Sequence, residues 1–341
     1  MKAAIVNPYL DTLGGGERYT MSFAKVLADA GYQVDVQWKS EAIREKLEKR
    51  FGIKLSNISF KKDVLRGDGY DACFWVSDGS IPTLHARKNF LHFQIPFIDV
   101  NGKTLLNRMK LFRVNKIICN SLFTKTSIDS EYGVNSIVIY PPVDVATIKP
   151  KRKENVILSV GRFSQLTQAK HQDILVEVFK KFVKAGHTDW KLILAGGTEI
   201  GSEDMVKKLK KNTNKWPIEI IESPDYTKIV DLYGHAKLFW TAAGYGVDEE
   251  KFPKNVEHFG IALVEAMAAG CIPFAYNAGG HKEIIVSGKN GFLWRKKSEF
   301  LDDVNKIISD KKQLLGISEA AKIASRVYEY DRFENEVLDL L

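Results

Sequence analysis

Short apolar runs separated by amphipathic stretches alternate along this chain from end to end. Lys2 to Pro8 predicts a buried strand, Glu17 to Ala30 a helix with apolar residues at helical spacing, and Gln33 to Trp38 the next strand. Further apolar strands are predicted at Ala72 to Val76, Asn89 to Phe93, Lys116 to Asn120 and Ser136 to Tyr140. This half therefore predicts a parallel sheet wrapped by helices. The run Y-P-P-V-D from Tyr140 and the charged stretch from Lys149 to Glu154 suit an interdomain connection. A second cycle follows, with strands at Val156 to Val160, Trp190 to Leu194, Ile218 to Ile221, Leu238 to Trp240 and Ile272 to Tyr276. Helices are predicted at Asp173 to Ala185, Tyr226 to His235 and Ile261 to Ala269. The fold class expected is α/β, two Rossmann-like doubly wound domains facing a central cleft. The expected boundaries are 1–150 and 151–325, with a C-terminal helix over 326–341 packing back on the N-terminal domain.

Composition narrows the setting. The 341 residues suffice for two cores, and 45% apolar with 27% charged residues is ordinary for a globular protein. The opening apolar run is broken at Asn7 and Pro8, and no stretch approaches the ~20 apolar residues of a membrane span. A cytoplasmic protein, at most peripheral on a membrane face, is expected. Cys73, Cys119 and Cys271 lie scattered in apolar runs, which predicts buried thiols and no structural zinc.

The charge of +8 is uneven: residues 1–150 hold 21 Lys and Arg against 15 Asp and Glu, leaving +6. Within that half, Lys103, Arg108, Lys110, Arg113 and Lys116 alternate with Leu105, Leu106, Met109, Leu111 and Phe112. Such a pattern describes either a surface helix packed on its own domain or a face lying on an anionic membrane. No nucleic-acid module accompanies the charge, and no nucleic-acid partner is expected.

Candidate chemistry concentrates in E-H-F-G-I-A-L-V-E-A-M-A-A-G-C-I-P, Glu257 to Pro273. It sets two carboxylates eight positions apart, Glu257 in a loop and Glu265 in the helix after the Phe259-Gly260 turn. Free N–H groups at a helix start favour an anion, and flanking carboxylates accept hydrogen bonds from hydroxyls. A nucleotide sugar, a diphosphate flanked by two polyols, has that chemistry. Gly161-Arg162-Phe163 directly follows a strand, with Lys170-His171 a few residues on, placing two cations where they neutralise a diphosphate leaving group. Leu13-Gly14-Gly15-Gly16 joins the first strand to the first helix, and His92 ends a strand in L-H-F-Q-I-P, where a hydrogen-bonded core histidine is the commoner outcome. The chain has no H-E-x-x-H, C-x-x-C, Walker loop or G-x-S-x-G. It also lacks the G-x-G-x-x-G of an NAD-dependent oxidoreductase. The one Tyr-x-x-x-Lys spacing an epimerase needs, Tyr233 to Lys237, contains Gly234 and reads as a helix end. A catalytically silent nucleotide-sugar-binding module remains a distinct reading.

Taken together, the glycine loop, Gly161-Arg162 with Lys170, the run L-I-L-A-G-G ending at Gly197, and the Glu257 to Glu265 unit followed by N-A-G-G-H-K-E resemble a retaining GT-B glycosyltransferase of family 4. E-H-F-G-I and Y-P-P-V-D are similar to the mannosyltransferases that extend lipid-linked oligosaccharide. The resemblance implies an acceptor-side N-terminal domain and a C-terminal domain that binds the nucleotide sugar. It implies that Glu257 contacts the donor sugar, Glu265 the ribose, and that Arg162 and Lys170 hold the diphosphate. Gly15 and Gly16 close over the phosphate, His92 lies beside the transferred sugar, and the backbone of Phe259, Gly260 and Ile261 binds sugar and phosphate oxygens. The base is gripped by backbone near Glu222 to Tyr226, leaving UDP and GDP donors open. The implied reaction moves a hexose to a hydroxyl acceptor, a lipid-linked saccharide or polysaccharide, and requires neither metal nor cofactor. The stretches from Arg162 to Lys170 and from Ala242 to Val256 are longer than in many members.

Overall fold

The computed structural model describes residues 1–164, 168–199 and 201–341. The chain divides into two units, Met1–Pro142 with Tyr330–Leu341, and Val143–Glu329. The division falls before the expected 150/151 boundary, because Val143 N–H already bonds to the Tyr328 carbonyl of the second unit (2.8 Å).

The first unit runs β1 (Lys2–Val6), α1 (Gly15–Asp29), β2 (Gln33–Gln37), α2 (Ile43–Phe51), β3 (Ile58–Lys61), β4 (Ala72–Val76), β5 (Lys88–Phe93), α3 (Leu105–Leu111), β6 (Lys116–Cys119), α4 (Leu122–Tyr132) and β7 (Ile137–Val138). Its strands form one parallel sheet in the order β3-β2-β1-β4-β5-β6-β7. That order reverses at β1, so helices cover both faces and the strand between is apolar throughout; Ala3, Ala4, Ile5 and Val6 are all buried. The edge strand β3 escapes prediction because only Ile58 of its four residues is buried.

The second unit runs β8 (Glu154–Val160), α5 (Gln172–Lys184), β9 (Lys191–Gly196), α6 (Glu203–Thr213), β10 (Ile218–Glu222), α7 (Tyr226–His235), β11 (Ala236–Thr241), α8 (Ile261–Ala268), β12 (Ile272–Tyr276), α9 (His281–Ile284), β13 (Phe292–Trp294), α10 (Lys297–Ser309) and α11 (Lys311–Ser325). Its sheet is again parallel, in the order β10-β9-β8-β11-β12-β13. Trp240, Phe300 and Trp294 interlock over it, with ring centroids 4.6 Å apart in both the Trp240–Phe300 and Trp294–Phe300 pairs. The last helix, α12 (Tyr330–Leu338), belongs to the first unit. There it buries Phe333 and Val337, and Phe333 meets Tyr19 of α1 edge-on at 5.2 Å.

His92, at the end of β5, is wholly buried in this first core. Its ring stacks on Tyr19 at 4.3 Å and on Phe74 at 5.3 Å. Nδ1–H donates to the Ile118 carbonyl at 3.1 Å, which fixes the neutral tautomer. Burial pushes its pKa down to about 3, against the opposing effect of the Ile118 bond. The folded ring therefore refuses a proton that the unfolded chain accepts below about pH 6.5, and stability falls as pH drops from there toward 3. The loss approaches about 1.4 kcal/mol per pH unit within that window and vanishes above it. His92→Phe keeps the stack and removes the titration. Urea unfolding at pH 7 and pH 5 is expected to show a smaller stability difference in that variant; an unchanged difference refutes the assignment.

Candidate functional site

In a doubly wound sheet the loops at the carboxyl ends of the strands carry the chemistry, and in the second unit those exits lie edge to edge. Gly161 N–H bonds to the Ala195 carbonyl (2.9 Å), Phe163 N–H to that of Gly197 (2.8 Å), and Ser223 N–H to that of Gly196 (2.7 Å). Ser223, with φ of +49°, turns the chain from β10 into α7, whose N-cap Asp225 accepts from Lys228 N–H. The segment expected to hold the base thus sits beside the β9 exit. Arg162 follows β8; its carbonyl accepts a hydrogen bond from Gln172 Nε2 (3.0 Å) at the start of α5. No ion pair engages its guanidinium among the described residues.

Lys170 and Glu257 come together across 87 residues. Lys170 Nζ lies 2.8 Å from Glu257 Oε2, with side chains only 17% and 20% exposed. Gly161 makes this possible: a Cβ there would lie 2.9 Å from Lys170 Cγ, so the lysine stem crosses the glycine. Burial alone raises the Glu257 pKa, but the charge of Lys170, then that of His281, and the Lys170 hydrogen bond outweigh it and hold the carboxyl at about 2. Glu257 is therefore an anion at any working pH, an acceptor for hydroxyls and too weak a base to deprotonate one.

Glu257 precedes α8 by four residues. Gly260, at φ of +114°, turns the chain so that α8 begins at Ile261, and the opening turn leaves N–H groups that the helix itself does not use. Below this turn runs the loop of Gly279 and Gly280. Gly280 N–H donates to the Glu257 carbonyl (2.8 Å). A Cβ at Gly279 would lie 2.1 Å from the Glu257 carbonyl oxygen, and one at Gly280 2.5 Å from Phe259 Cα. Both contacts are with backbone, which cannot swing aside. Glu249 clamps the loop from the other side, accepting from Gly279 N–H (2.6 Å) and pairing with Lys282 (2.6 Å). His281 is buried and donates Nδ1–H to the Tyr276 carbonyl (2.9 Å); burial lowers its pKa while Glu257 opposes the shift. Gly279, Gly280 and Glu249 were assigned no role in the sequence. The run N-A-G-G between a strand and a short helix was the available signal, since paired glycines often mark a close backbone approach. Gly280→Ala is expected to cost about 1–3 kcal/mol by overpacking, a fall of several degrees in Tm. A differential scanning experiment showing no change contradicts this packing.

Glu265 lies in the body of α8, 6% exposed, and accepts from the Tyr233 hydroxyl (3.0 Å), so it is a buried carboxylate rather than a solvent-facing one. Phe259 is buried against Tyr328 (5.2 Å).

The remaining expected residues belong to the first unit. Gly15 and Gly16 open α1, and a Cβ on Gly16 would fall 1.8 Å from Gln94 Oε1. The helix start is already served by an acid: Glu17 Oε2 accepts from Thr12 Oγ1 (2.7 Å) and Gly14 N–H (2.8 Å). His92 lies in the core described above, with no surface exposed. At the carboxyl ends of β1, β2 and β4 this unit holds a pocket of about 470 Å³, lined by Asn7, Trp38, Lys39, Lys62, Trp75 and Asp78 among others. Among the described residues, no group of three or more His, Cys, Asp or Glu is arranged to hold a metal ion.

Comparison with known proteins supplies the family and the fold. The family model described as glycosyl transferases group 1 matches residues 144–324. The GDP-Man:Man(3)GlcNAc(2)-PP-Dol alpha-1,2-mannosyltransferase of Dictyostelium discoideum is 27% identical over 224 residues, covering 61% of this chain and 42% of that one. The chain thus spans about two fifths of the length of that relative. The alpha-1,3/1,6-mannosyltransferase ALG2 of Candida glabrata is 24% identical over 365 residues, covering 84% and 78%. Among solved structures, Anabaena HepE in complex with UDP superposes with a TM-score of 0.78 at 19% identity, over 99% of each chain. This likeness shows the shared GT-B fold.

Proposed function

We propose, from the premise that this chain belongs to the group 1 glycosyl transferases, that its second unit binds a nucleotide diphosphate sugar and that the enzyme transfers the hexose with retention to a hydroxyl acceptor. The observation that carries this reading is the Lys170–Glu257 pair beside the start of α8. It supplies a cation for a diphosphate, an obligate anion for sugar hydroxyls and backbone donors for oxygens, within one built loop cluster.

On this reading Lys170 exchanges its carboxylate partner for a diphosphate oxygen when the donor arrives, and Glu257 turns its acceptor capacity to the sugar. Arg162, free of ion pairs among the described residues, adds a planar fork to the same diphosphate. Glu265, already ordered by Tyr233, takes the ribose. The acceptor oxygen bonds to the anomeric carbon on the face from which the phosphate oxygen departs. The acceptor's proton passes to that departing oxygen, giving the glycoside and a nucleoside diphosphate. Before the donor arrives, Lys170 holds the Glu257 carboxyl well below the usual carboxylate range, an acceptor of hydrogen bonds rather than a base, which favours the departing phosphate oxygen as the destination of the proton. Arg162, Lys170 and the α8 start stabilise the developing charge, a task met without a metal ion. Mannosyltransferase relatives make GDP-mannose the first donor to test, and a lipid-linked saccharide the first acceptor. The tryptophan-lined pocket of the first unit has the aromatic faces and polar rim that a saccharide acceptor requires.

Calorimetry with GDP-mannose, UDP-glucose and their relatives, followed by assay of donor hydrolysis in the same sample, tests the reading. Binding of one donor with slow hydrolysis supports it. Binding with neither hydrolysis nor transfer to any acceptor tried leaves a silent module, and no binding ends the proposal.

A further inference from the structure

The basic amphipathic stretch of the first unit does not pack as an ordinary surface helix. α3 buries none of its residues. Leu105, Leu106, Met109 and Phe112 are 76%, 61%, 61% and 90% exposed. Leu105, Met109 and Phe112 fall at i, i+4 and i+7 with Leu106 beside them, so they form one continuous apolar stripe. Leu111 and Val114 instead pack against the core cluster of Leu91, Phe93 and Ile128.

The stripe is held in place by construction. Thr104 caps the helix through Asn107 N–H (3.3 Å), and Asn107 Nδ2 donates to the Asn101 and Gly102 carbonyls (3.3 and 3.2 Å). Glu131 accepts from the N–H groups of Asp99, Val100 and Gly102. Arg113 Nε donates to the Leu84 carbonyl (2.7 Å). Around the stripe stand Lys103, Arg108, Lys110, Arg113 and Lys116, and no acidic residue occurs from 102 to 116.

We propose that α3 and its flanks form a membrane-docking face. It lays Leu105, Leu106, Met109 and Phe112 into the acyl boundary of a bilayer while its cations meet anionic lipid headgroups. Charge decides the occupant. Two copies joined through this face would set five cations against five, whereas an anionic bilayer supplies both the apolar layer and the compensating charge. α3 is far too short to span, and no helix among the described residues is long and apolar enough to do so, so the contact is interfacial. The inference stands apart from the donor site, since none of these residues belongs to it.

Flotation of the full chain with vesicles tests it. The protein is expected to float with vesicles of phosphatidylcholine containing about one third phosphatidylglycerol, to stay in solution with phosphatidylcholine alone, and to be released by raised salt. The double substitution Met109→Ser with Phe112→Ser is expected to lower the bound fraction at least about tenfold with Tm unchanged, because these side chains are mostly exposed. In a Met109→Trp variant, fluorescence is expected to shift to the blue on addition of the anionic vesicles. Absence of flotation with the anionic vesicles, or flotation that survives the double serine substitution, overturns the proposal. So does a dimer in solution that Phe112→Ser dissolves, which assigns the face to a second copy.

Discussion

Glu257→Ala is expected to lower kcat/KM for donor by about two to three orders of magnitude, equivalent to about 3–4 kcal/mol of transition-state stabilisation. The carboxylate is paired with Lys170, the cation proposed to hold the diphosphate, and lies against the opening of α8. The unit survives the change because Glu257 is not part of its core, which holds Trp240, Trp294 and Phe300. The low pKa adds a sign that can be checked. A carboxyl whose folded pKa is depressed to about 2 contributes its stability fully above the unfolded value near 4.5, and loses it only as pH falls toward 2. Activity should therefore show no limb from Glu257 between pH 5 and pH 9, and Glu257→Gln should be as impaired at pH 5 as at pH 8. Steady-state kinetics across that range, with the melting temperature recorded beside each rate, tests both statements. Full activity in Glu257→Ala removes the donor-site assignment.

Lys170→Ala and Arg162→Ala carry the second large effect, about a hundredfold or more each in kcat/KM. The two need not fail alike. Lys170→Ala strands Glu257 as a largely buried anion without its 2.8 Å partner, so it should also lower stability and reject the diphosphate electrostatically. Arg162 has no such partner among the described residues, and its loss should leave the melting temperature near that of the parent. Arg162→Lys should recover little, since a point charge does not replace a planar fork. Equal and large losses of stability in both alanine variants would contradict the different surroundings described for them.

Much of this was legible in the order of residues. The inner strands of both sheets announce themselves because strands buried on both faces read as unbroken apolar runs, as at Ala72 to Val76 and Ile272 to Tyr276. The helix that carries Glu265 was legible because a run of Ala, Leu and Met follows the Phe259-Gly260 turn. What the sequence could not reveal was distance. Nothing local to Lys170 says that it reaches Glu257, and nothing local to Gly279 says that the Glu257 carbonyl lies where its Cβ would be. For His92 the motif favoured a hydrogen-bonded core histidine, and the three-dimensional arrangement seats it beside Tyr19 and Phe74 with its Nδ1 bonded to a strand carbonyl. Its place beside a transferred sugar came from the resemblance alone. The exposure of α3 was hidden for a similar reason. An amphipathic pattern reports that a helix has an apolar side, and only tertiary structure reports whether anything covers it.

The account rests on Lys170 gripping phosphate and Glu257 gripping sugar at the opening of α8. Calorimetric titration of a nucleoside diphosphate, and separately of the matching nucleotide sugar, into the parent, Lys170→Ala and Glu257→Ala separates these two grips. The prediction is that Lys170→Ala weakens both ligands at least about tenfold, whereas Glu257→Ala weakens the nucleotide sugar and leaves the bare diphosphate unchanged or tighter. Unaltered binding of the bare diphosphate by Lys170→Ala would contradict it.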